Sequence, residues 1–204
     1  MHPFPYGKTE MTALSSVDHR MELLIDRYGY LERTVNPDLF SCLIESIVAQ
    51  QISGKAAETV YAKLKQAVGD VTPEQILATQ DNDLRSCGLS GRKVSYLKSA
   101  ADFFSNEKNN TASFFEMSDR ELISALTEIK GVGVWTAEML MIFSLAKPNV
   151  LSFHDFGIRK AITALYGLTE LGKNDFERYR TMFCPYGTVA SFYLWQFAND
   201  NCVI

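Results

Sequence analysis

The sequence predicts an all-α fold, and three observations lead to this prediction. Apolar residues recur at three- and four-residue intervals along most of the chain, which is the period of an amphipathic helix. Ser, Thr or Asn stands before several of these runs, as helix-capping residues do. The alternation of apolar and polar residues that is typical of strands is absent. Since no linker, low-complexity segment or repeat divides the chain, we expect a single helical unit.

The first half of the chain contains five predicted helices. Each one combines an apolar stripe with residues that favour a helix start or a helix end. The first helix is expected at 21–28, and the second begins with Asn36-Pro37 as cap and first turn and continues to Val48. The third runs from Ser53 to Val68 and ends at Gly69. A fourth starts at 72–74, and a fifth runs from Ser90 to Phe104.

The second half begins with a predicted pair of helices joined by a tight turn. Ser118 and Glu121 form a capping box before an apolar run. Gly131 and Gly133 then permit positive φ and the close approach of another backbone, and the helix resumes at Val134. Three more helices are expected, one opening at Asp155 and two over about 174–183 and 187–200.

The turn between the paired helices is a candidate phosphate site. The first N–H groups of the second helix, and its positive dipole end, lie beside the two glycines. A Gly-X-Gly sequence is also compatible with a plain helix–turn–helix corner in a helical core. The local pattern alone therefore leaves both interpretations open.

Composition allows a well-packed core but gives no sign of nucleic-acid binding. A chain of 204 residues with 47% hydrophobic content can bury a sizeable core. Because the net charge is −4, any binding of nucleic acid must rest on a local patch and on helix N-termini. Each candidate cation lies in or beside a motif, although each is also compatible with a solvated surface residue. The candidates are Lys55, Arg92, Lys93, Lys98, Lys130, Arg159 and Lys160.

The cysteines and the N-terminus indicate a reduced protein inside the cell. Cys42, Cys87, Cys184 and Cys202 are scattered and include no Cys-x-x-Cys pair, which excludes a zinc knuckle and a disulfide framework. Cys184 and Cys202 alone cannot build an iron–sulfur cluster. The N-terminus lacks the features of a signal peptide, and no apolar run is long enough to span a membrane. We therefore expect an intracellular protein without a cofactor cluster or a membrane partner.

Several motifs together resemble one family. Residues 128–137, Glu-Ile-Lys-Gly-Val-Gly-Val-Trp-Thr-Ala, are similar to the hairpin of the helix-hairpin-helix DNA glycosylase superfamily, with Lys130 in place of a proline. Within this superfamily the chain most resembles the 3-methyladenine DNA glycosylase II branch. Asp155 stands where the family's catalytic aspartate opens a helix after a short apolar run. Further similar motifs follow in the family's order at 47–53, 87–93, 184–190 and Trp195, so that the resemblance covers roughly residues 36–200.

The resemblance implies a helix-hairpin-helix glycosylase fold with two helical lobes and an active cleft between them. Lobe A is expected to contain about residues 1–35 plus 136–204 and lobe B about residues 36–135, within one domain of residues 1–204. Many relatives carry an additional N-terminal β-rich domain. The chain has no room for one, and we expect a compact version.

Asp155 is the implied catalytic residue. Cleavage of the base–sugar bond builds positive charge on the deoxyribose, much as in glycoside hydrolysis. A fixed carboxylate stabilises that charge, or it orients and deprotonates a water. From the local sequence alone, an ordinary Asp N-cap is the simpler interpretation. The family's spacing from the hairpin reverses that preference.

Trp135 implies an enzyme without strand-nicking activity. Bifunctional relatives carry at this position a lysine that forms a Schiff base with the sugar. Between Trp135 and Asp155 the chain contains one lysine, Lys147. Trp135 and Trp195 match family positions that line the base pocket, where indole faces suit cationic alkylated purines. Both tryptophans are also compatible with a place in the core.

Further residues are implied to contact DNA or an ion. Gln51 matches the position that wedges into the duplex where the flipped nucleotide was, although a capping or loop glutamine fits equally well. His154 stands where some relatives have a second aspartate, and Gly187 replaces an arginine, so a contact of the family is absent there. The other implied DNA contacts are Ser53, Lys55, Lys93, Gly131, Gly133, Val134 and Thr136. The implied ligands of a monovalent Na⁺ or K⁺ ion are the backbone carbonyls of Thr127, Ile129 and Val132.

The leading hypothesis is a monofunctional DNA glycosylase of base-excision repair. It would act as a monomer on double-stranded DNA and hydrolyse the N-glycosidic bond of 3-methyladenine and 7-methylguanine. The alternatives are a DNA-damage-binding module without turnover, a glycosylase for deaminated or oxidised bases, and an all-helical protein–protein adaptor. The expected location is the cytoplasm or nucleoid of a bacterium, or the nucleus of a eukaryote.

Overall fold

The computed structural model describes residues 1–106, 109 and 111–203, and these residues are mostly helical, which confirms the predicted all-α class. The two-residue strands β1 (His2–Pro3) and β2 (Thr34–Val35) form an antiparallel pair, which is too short to produce an alternating sequence pattern. None of the described helices is long and apolar enough to cross a membrane. In chain order the elements are β1 His2–Pro3, α1 Lys8–Val17, α2 His19–Tyr28, β2 Thr34–Val35, α3 Leu39–Ala49, α4 Gly54–Val68, α5 Pro73–Ala78, α6 Asp81–Ser86, α7 Gly91–Phe104, α8 Thr111–Glu116, α9 Asp119–Leu126, α10 Val134–Phe143, α11 Phe156–Leu165, α12 Lys173–Phe183 and α13 Gly187–Asn199.

The chain divides into two compact units. The terminal unit consists of Met1–Val35 and Met141–Ile204, and the central unit consists of Asn36–Leu140. The boundary between them falls inside α10.

The terminal unit is built around α13, which packs against α11, α2, α1 and α12. Aromatic residues dominate this packing. The Phe192 ring lies edge-on to Phe4 at a centroid distance of 5.1 Å, and the Tyr193 hydroxyl donates to the Gly29 carbonyl at 2.8 Å. Burial raises the pKa of Tyr193 above its ordinary value. The hydroxyl therefore stays protonated. Its hydrogen bond to the Gly29 carbonyl satisfies this buried polar group.

The central unit packs α3 against α4 and α7, and α7 also contacts α5 and α6. Leu43, Ile47, Leu64 and Leu97 are completely buried in this packing. Burial of such a side chain stabilises the fold by about 1.5–3 kcal/mol relative to its exposure. The apolar faces of these helices hold in place the two turns that carry most of the predicted DNA contacts.

Local capping confirms the starts of four predicted helices. The side chains of Ser53, Thr72, Ser90 and Ser118 each accept a hydrogen bond from the backbone N–H three residues later. The Ser118 N–H also donates to the Glu121 carboxylate at 2.9 Å, which completes the predicted capping box. These bonds need only a short stretch of chain, and the sequence pattern is therefore a reliable guide to them.

The predicted start of α3 at Asn36 is wrong. The cap is Asp38, whose carboxylate accepts from the Ser41 N–H at 3.0 Å. The Asn36 side-chain oxygen instead accepts from the Asp38 N–H at 3.1 Å, forming a turn that precedes the helix. Two residues in this segment can act as caps, and Asn36 uses its oxygen before the helix begins.

Three observed helices, α1, α6 and α8, have no counterpart in the sequence prediction. The first follows Gly7, which has no side chain to act as a cap, although Glu10 accepts a hydrogen bond from the Gly7 N–H at 2.7 Å. The other two contain six residues each. Helices this short give too few turns for a clear apolar period.

Candidate active site

Asp155 is the N-cap of α11, and hydrogen bonds from two other residues hold its carboxylate. Its Oδ1 atom accepts from the Ile158 backbone N–H at 2.9 Å and from the Trp195 indole Nε1–H at 2.9 Å. The residue is only 8% exposed. Two short donors on one oxygen fix the orientation of the carboxylate. The arrangement suits a carboxylate that must keep a fixed position relative to a substrate.

Gly157 allows the contact between Asp155 and Trp195. A Cβ atom at this position would lie 3.2 Å from both Asp155 Oδ1 and Trp195 Cδ1. The Trp195 ring is also stacked on Phe143, with a centroid distance of 5.8 Å. The indole is therefore fixed from two sides. Sequence reasoning missed this positioning contact, because it joins residues that lie 40 apart in the chain.

The predicted hairpin of the central unit consists of α9, the turn over 127–133 and α10. Inside the turn, the Val132 N–H donates to the Ile129 carbonyl at 3.1 Å, and Gly131 has a φ of 83°. A Cβ atom on Gly131 would clash with the Tyr96 ring. This turn therefore requires glycine at position 131, both for its conformation and for its space.

The first turn of α10 carries the predicted phosphate contacts. The backbone amides of Gly133, Val134 and Thr136 lie at a helix N-terminus, where unsatisfied N–H groups and the dipole favour an anion. Gly133 and Val134 are exposed, whereas Thr136 is buried. Among the three predicted cation ligands, the Ile129 carbonyl already accepts a hydrogen bond within the turn, which leaves it one lone pair for an ion.

The turn between α3 and α4 contains Gln50 and Gln51 and lies beside the hairpin in the central unit. The Gln50 Nε2 atom donates to the Gly131 carbonyl at 3.1 Å. A cavity of about 380 Å³ is lined by Ser46, Ala49, Gln50, Gln51 and Trp135. Trp135 is 42% exposed. The fold thus brings the predicted wedge residue and one predicted base-pocket tryptophan to the same cavity.

These elements match one family of DNA repair proteins. Residues 44–185 fit the model of the HhH-GPD superfamily, whose members are base excision DNA repair proteins.

The chain belongs to the HhH-GPD superfamily.

Relatives from two organisms are similar over nearly the whole chain. The DNA-3-methyladenine glycosylase 1 of Schizosaccharomyces pombe is 32% identical, over 90% of this chain and 84% of its own length. The crystal structure of a DNA-3-methyladenine glycosidase from Bacillus halodurans has a TM-score of 0.89 at 34% identity, covering 99% of this chain and 94% of that one. The S. pombe 3-methyladenine DNA glycosylase in complex with abasic DNA has a TM-score of 0.76 at 28% identity, covering 94% of this chain and 97% of that one.

His154 and Gly187, the two residues that depart from the HhH-GPD motifs, differ in burial and in the residues they contact. His154 is exposed and lies edge-on to Phe153 at a centroid distance of 5.8 Å. Gly187 is buried at the start of α13, and a Cβ atom there would lie 3.0 Å from Asn149 Oδ1. The Gly187 N–H donates to the same oxygen at 3.2 Å. In this chain a side chain at position 187 would therefore crowd Asn149.

Among the predicted cations of the central unit, some donate hydrogen bonds to backbone carbonyls and others are exposed to solvent. The Lys98 Nζ atom donates to the carbonyls of Ile76, Leu77 and Thr79 at 2.8, 2.9 and 2.6 Å. All three of its donors are used to cap the end of α5, so the prediction of a phosphate contact for Lys98 is not supported. The Lys93 Nζ atom donates to the Val48 carbonyl at 2.6 Å, which leaves it two donors. Burial, with a smaller contribution from the Arg92 charge, lowers the pKa of Lys93. The side chains of Lys55 and Lys130 are exposed.

The remaining predicted cations line a second cavity, in the terminal unit. Arg159 and Lys160 border a space of about 740 Å³ together with Phe156, which is 74% exposed. The Arg159 guanidinium lies over the Phe153 ring at 5.4 Å, and the Lys160 Nζ atom donates to the Ala198 carbonyl at 3.4 Å. Both cations lie on the helix that Asp155 caps, which keeps them candidates for a phosphate contact.

Replacing Lys98 and Lys55 in turn is expected to separate a structural lysine from a DNA-binding one. Lys98→Met removes three hydrogen bonds at the end of α5 and should lower the free energy of unfolding by about 1–3 kcal/mol, without changing the salt dependence of DNA binding. Lys55→Met should leave the stability unchanged and reduce the slope of log K against log salt by about 1. Denaturant unfolding and a salt titration of binding to abasic duplex measure both quantities. If Lys98→Met also reduces the slope of log K against log salt, Lys98 is a phosphate contact after all.

Replacing Trp195 with phenylalanine is expected to slow base release by about ten-fold or more. The variant keeps an aromatic ring beside Phe143 but removes the donor to Asp155 Oδ1, and a hydrogen bond to a charged group contributes about 1.5–3 kcal/mol. Single-turnover excision from methylated DNA gives the rate. Phe143→Leu is the matched control, because it changes the stacking and keeps the hydrogen bond. Equal losses in the two variants would mean that packing, and not the hydrogen bond, explains the effect.

Proposed function

We propose that this chain is a monofunctional DNA glycosylase that removes alkylated purines, with 3-methyladenine and 7-methylguanine as substrates. The observation that carries the proposal is the buried Asp155 carboxylate, oriented by the Ile158 N–H and the Trp195 indole at the start of α11. Membership of the HhH-GPD superfamily supports the reaction class. The names of the S. pombe and B. halodurans relatives support the alkylated purine as the substrate class.

The chemistry follows from the charge that develops during bond cleavage. As the C1′–N bond breaks, the bonding electrons leave with the purine, and positive charge develops on the deoxyribose. The Asp155 carboxylate stabilises that charge and accepts a proton from the water that attacks C1′. The products are the free base and an abasic site in an unbroken strand. An alkylated purine already carries positive charge and leaves easily, so no strong general acid is required.

Trp135 supports a monofunctional reaction. It occupies the hairpin position at which bifunctional members of the superfamily carry their Schiff-base lysine, and an indole cannot form that bond. Its partly exposed ring also offers an electron-rich face to a cationic base. The same residue thus disfavours strand cleavage and favours alkylated purines over neutral lesions.

The proposed partner is double-stranded DNA that contains a damaged base. The hairpin amides at the start of α10, the α3–α4 turn and the exposed Lys55 supply contacts for the phosphates and for the gap in the duplex. The S. pombe relative in complex with abasic DNA supports this assignment. We place the protein where the cell keeps its DNA, in the nucleoid of a bacterium or the nucleus of a eukaryote.

A panel of duplexes tests the proposed substrate class. Wild-type protein is incubated with methylated duplex and with duplexes that each contain a single uracil, hypoxanthine or 8-oxoguanine, and the released bases are separated and quantified. We expect release from the methylated duplex and little from the others. Release of uracil or 8-oxoguanine in preference to methylated purines would assign the protein to deaminated or oxidised bases. Tight binding of every damaged duplex without any release would identify a damage-binding module.

A further inference from the structure

The turn between α3 and α4 has an unusual residue at its third position. The Ile52 N–H donates to the Ala49 carbonyl at 3.3 Å, Gln50 has φ −53° and ψ 127°, and Gln51 has a φ of 59°. These angles define a type II turn, in which the third residue needs a positive φ and is usually glycine or asparagine. A glutamine here retains backbone strain that the turn itself does not require. Strained residues of this kind cluster at functional sites.

Hydrogen bonds from two neighbouring elements hold this turn in place. The Gln50 side chain donates to the Gly131 carbonyl of the hairpin at 3.1 Å. On the other side, the Lys93 ammonium donates to the Val48 carbonyl near the end of α3 at 2.6 Å. The exposed side chain of Gln51 therefore starts from a backbone with little freedom to move.

Arg92 determines which way the Gln51 amide is turned. Its Nη2 atom donates to the Gln51 Oε1 atom at 3.2 Å. A guanidinium has donors and no acceptor, so the amide oxygen, and not the amide nitrogen, must face Arg92. The NH₂ group of Gln51 then lies on the other side of the amide, available to an acceptor.

We propose that Arg92 is a positioning residue that presents Gln51 as a hydrogen-bond donor to the O2 oxygen of the pyrimidine left unpaired opposite the lesion. The proposal rests on the proposed function, which places Gln51 in the gap that the flipped purine leaves. It adds a role for Arg92 and a chemical class for the opposing base.

The shared chemistry of thymine and cytosine explains why a donor suits this position. Thymine pairs with adenine and cytosine with guanine, so either base is left unpaired when an alkylated purine is flipped out. At positions 3 and 4 the two pyrimidines present opposite donor and acceptor patterns, whereas both carry an acceptor oxygen at position 2. A single fixed donor can therefore serve both substrates. An amide turned the other way would present an acceptor and repel O2.

Binding to duplexes with a stable abasic analogue tests the proposal. Tetrahydrofuran is placed opposite thymine in one duplex and opposite 2,4-difluorotoluene in the other, which has the shape of thymine but no carbonyl oxygen. Wild-type protein should bind the thymine duplex about three- to ten-fold more tightly, as expected for one hydrogen bond. Arg92→Leu and Gln51→Glu should each bring the ratio of the two affinities close to one, the first by releasing the amide and the second by removing its donor.

A glycine variant separates this role from an effect on folding. Gln51→Gly relieves the positive φ and should melt at an equal or higher temperature than wild type, while it also loses the preference for thymine. If the glycine variant keeps the preference, Gln51 is not the donor and the proposal is overturned.

Other outcomes are equally decisive. If Arg92→Leu weakens both duplexes to the same extent and lowers the salt slope by about 1, Arg92 is a phosphate contact and the positioning role is wrong. A wild-type ratio of one, in a protein that still excises methylated purines, overturns this proposal and leaves the proposed function intact. A wild-type protein that neither binds these duplexes nor excises any methylated base overturns both.

Discussion

Replacing Asp155 with asparagine is expected to slow base release by about 10²–10⁴-fold while the protein stays folded and still binds abasic duplex. Asparagine has the same shape, and its side-chain oxygen can accept the same hydrogen bonds from the Ile158 N–H and the Trp195 indole. It is also as good an N-cap as aspartate, so α11 should keep its start. What the variant loses is the negative charge and the ability to take a proton from water.

The rate is measured under single-turnover conditions with methylated duplex, and binding is measured with a tetrahydrofuran duplex. Asp175→Asn is a matched control, because Asp175 is an exposed residue in the first turn of α12. It should leave both quantities unchanged. An Asp155→Asn variant that releases bases within a few-fold of the wild-type rate would show that Asp155 is only a helix cap.

The Gly131→Ala substitution is expected to have the largest effect on stability, lowering the free energy of unfolding by about 2–4 kcal/mol. Alanine would be held at a φ of 83°, and its Cβ atom would clash with the ring of Tyr96. For a chain of this size the loss corresponds to a melting temperature lower by roughly 4–16 °C. Thermal and denaturant unfolding measure it directly.

Gly133→Ala provides the matched control in the same hairpin. A Cβ atom at Gly133 has no heavy atom within 4 Å, so the stability of this variant should stay within about 1 kcal/mol of wild type. Comparing the double variant Gly131→Ala/Tyr96→Ala with Tyr96→Ala alone separates the two causes, because without the Tyr96 ring the clash is absent and the strained φ remains. If Gly131→Ala is as stable as Gly133→Ala, the described packing of Tyr96 against the hairpin is wrong.

Features that depend on a few consecutive residues could be predicted from the sequence. The capping box of Ser118 and Glu121 needs four residues, and the helix start at Asp155 needs the carboxylate and an N–H three residues on. The predicted start of α3 at Asn36 was wrong because Asn36 lies two residues before Asp38 and both residues can cap a helix. The sequence pattern does not say which of two neighbouring caps will be used.

Features that depend on tertiary contacts could not be predicted from the sequence. The donor to Asp155 comes from Trp195, and the acceptors of Lys98 lie at the end of α5, about twenty residues earlier in the chain. Its charge and its position beside a motif made Lys98 a candidate phosphate contact, and the family resemblance made Trp195 a candidate base-pocket residue. Only the packing of α7 against α5 and of α13 against α11 reveals where these side chains form hydrogen bonds. The sequence also did not predict the positive φ of Gln51, since glutamine is rarely found in that conformation.

The most direct test of the proposed activity is a single reaction that follows both the base and the strand. Wild-type protein is incubated with a methylated, end-labelled duplex; the released purines are quantified, and the strands are resolved with and without alkali treatment. We predict release of 3-methyladenine and 7-methylguanine, with strand breaks only after alkali. Strand breaks without alkali, or no release of either base by a protein that binds the duplex, would contradict a monofunctional alkylpurine glycosylase.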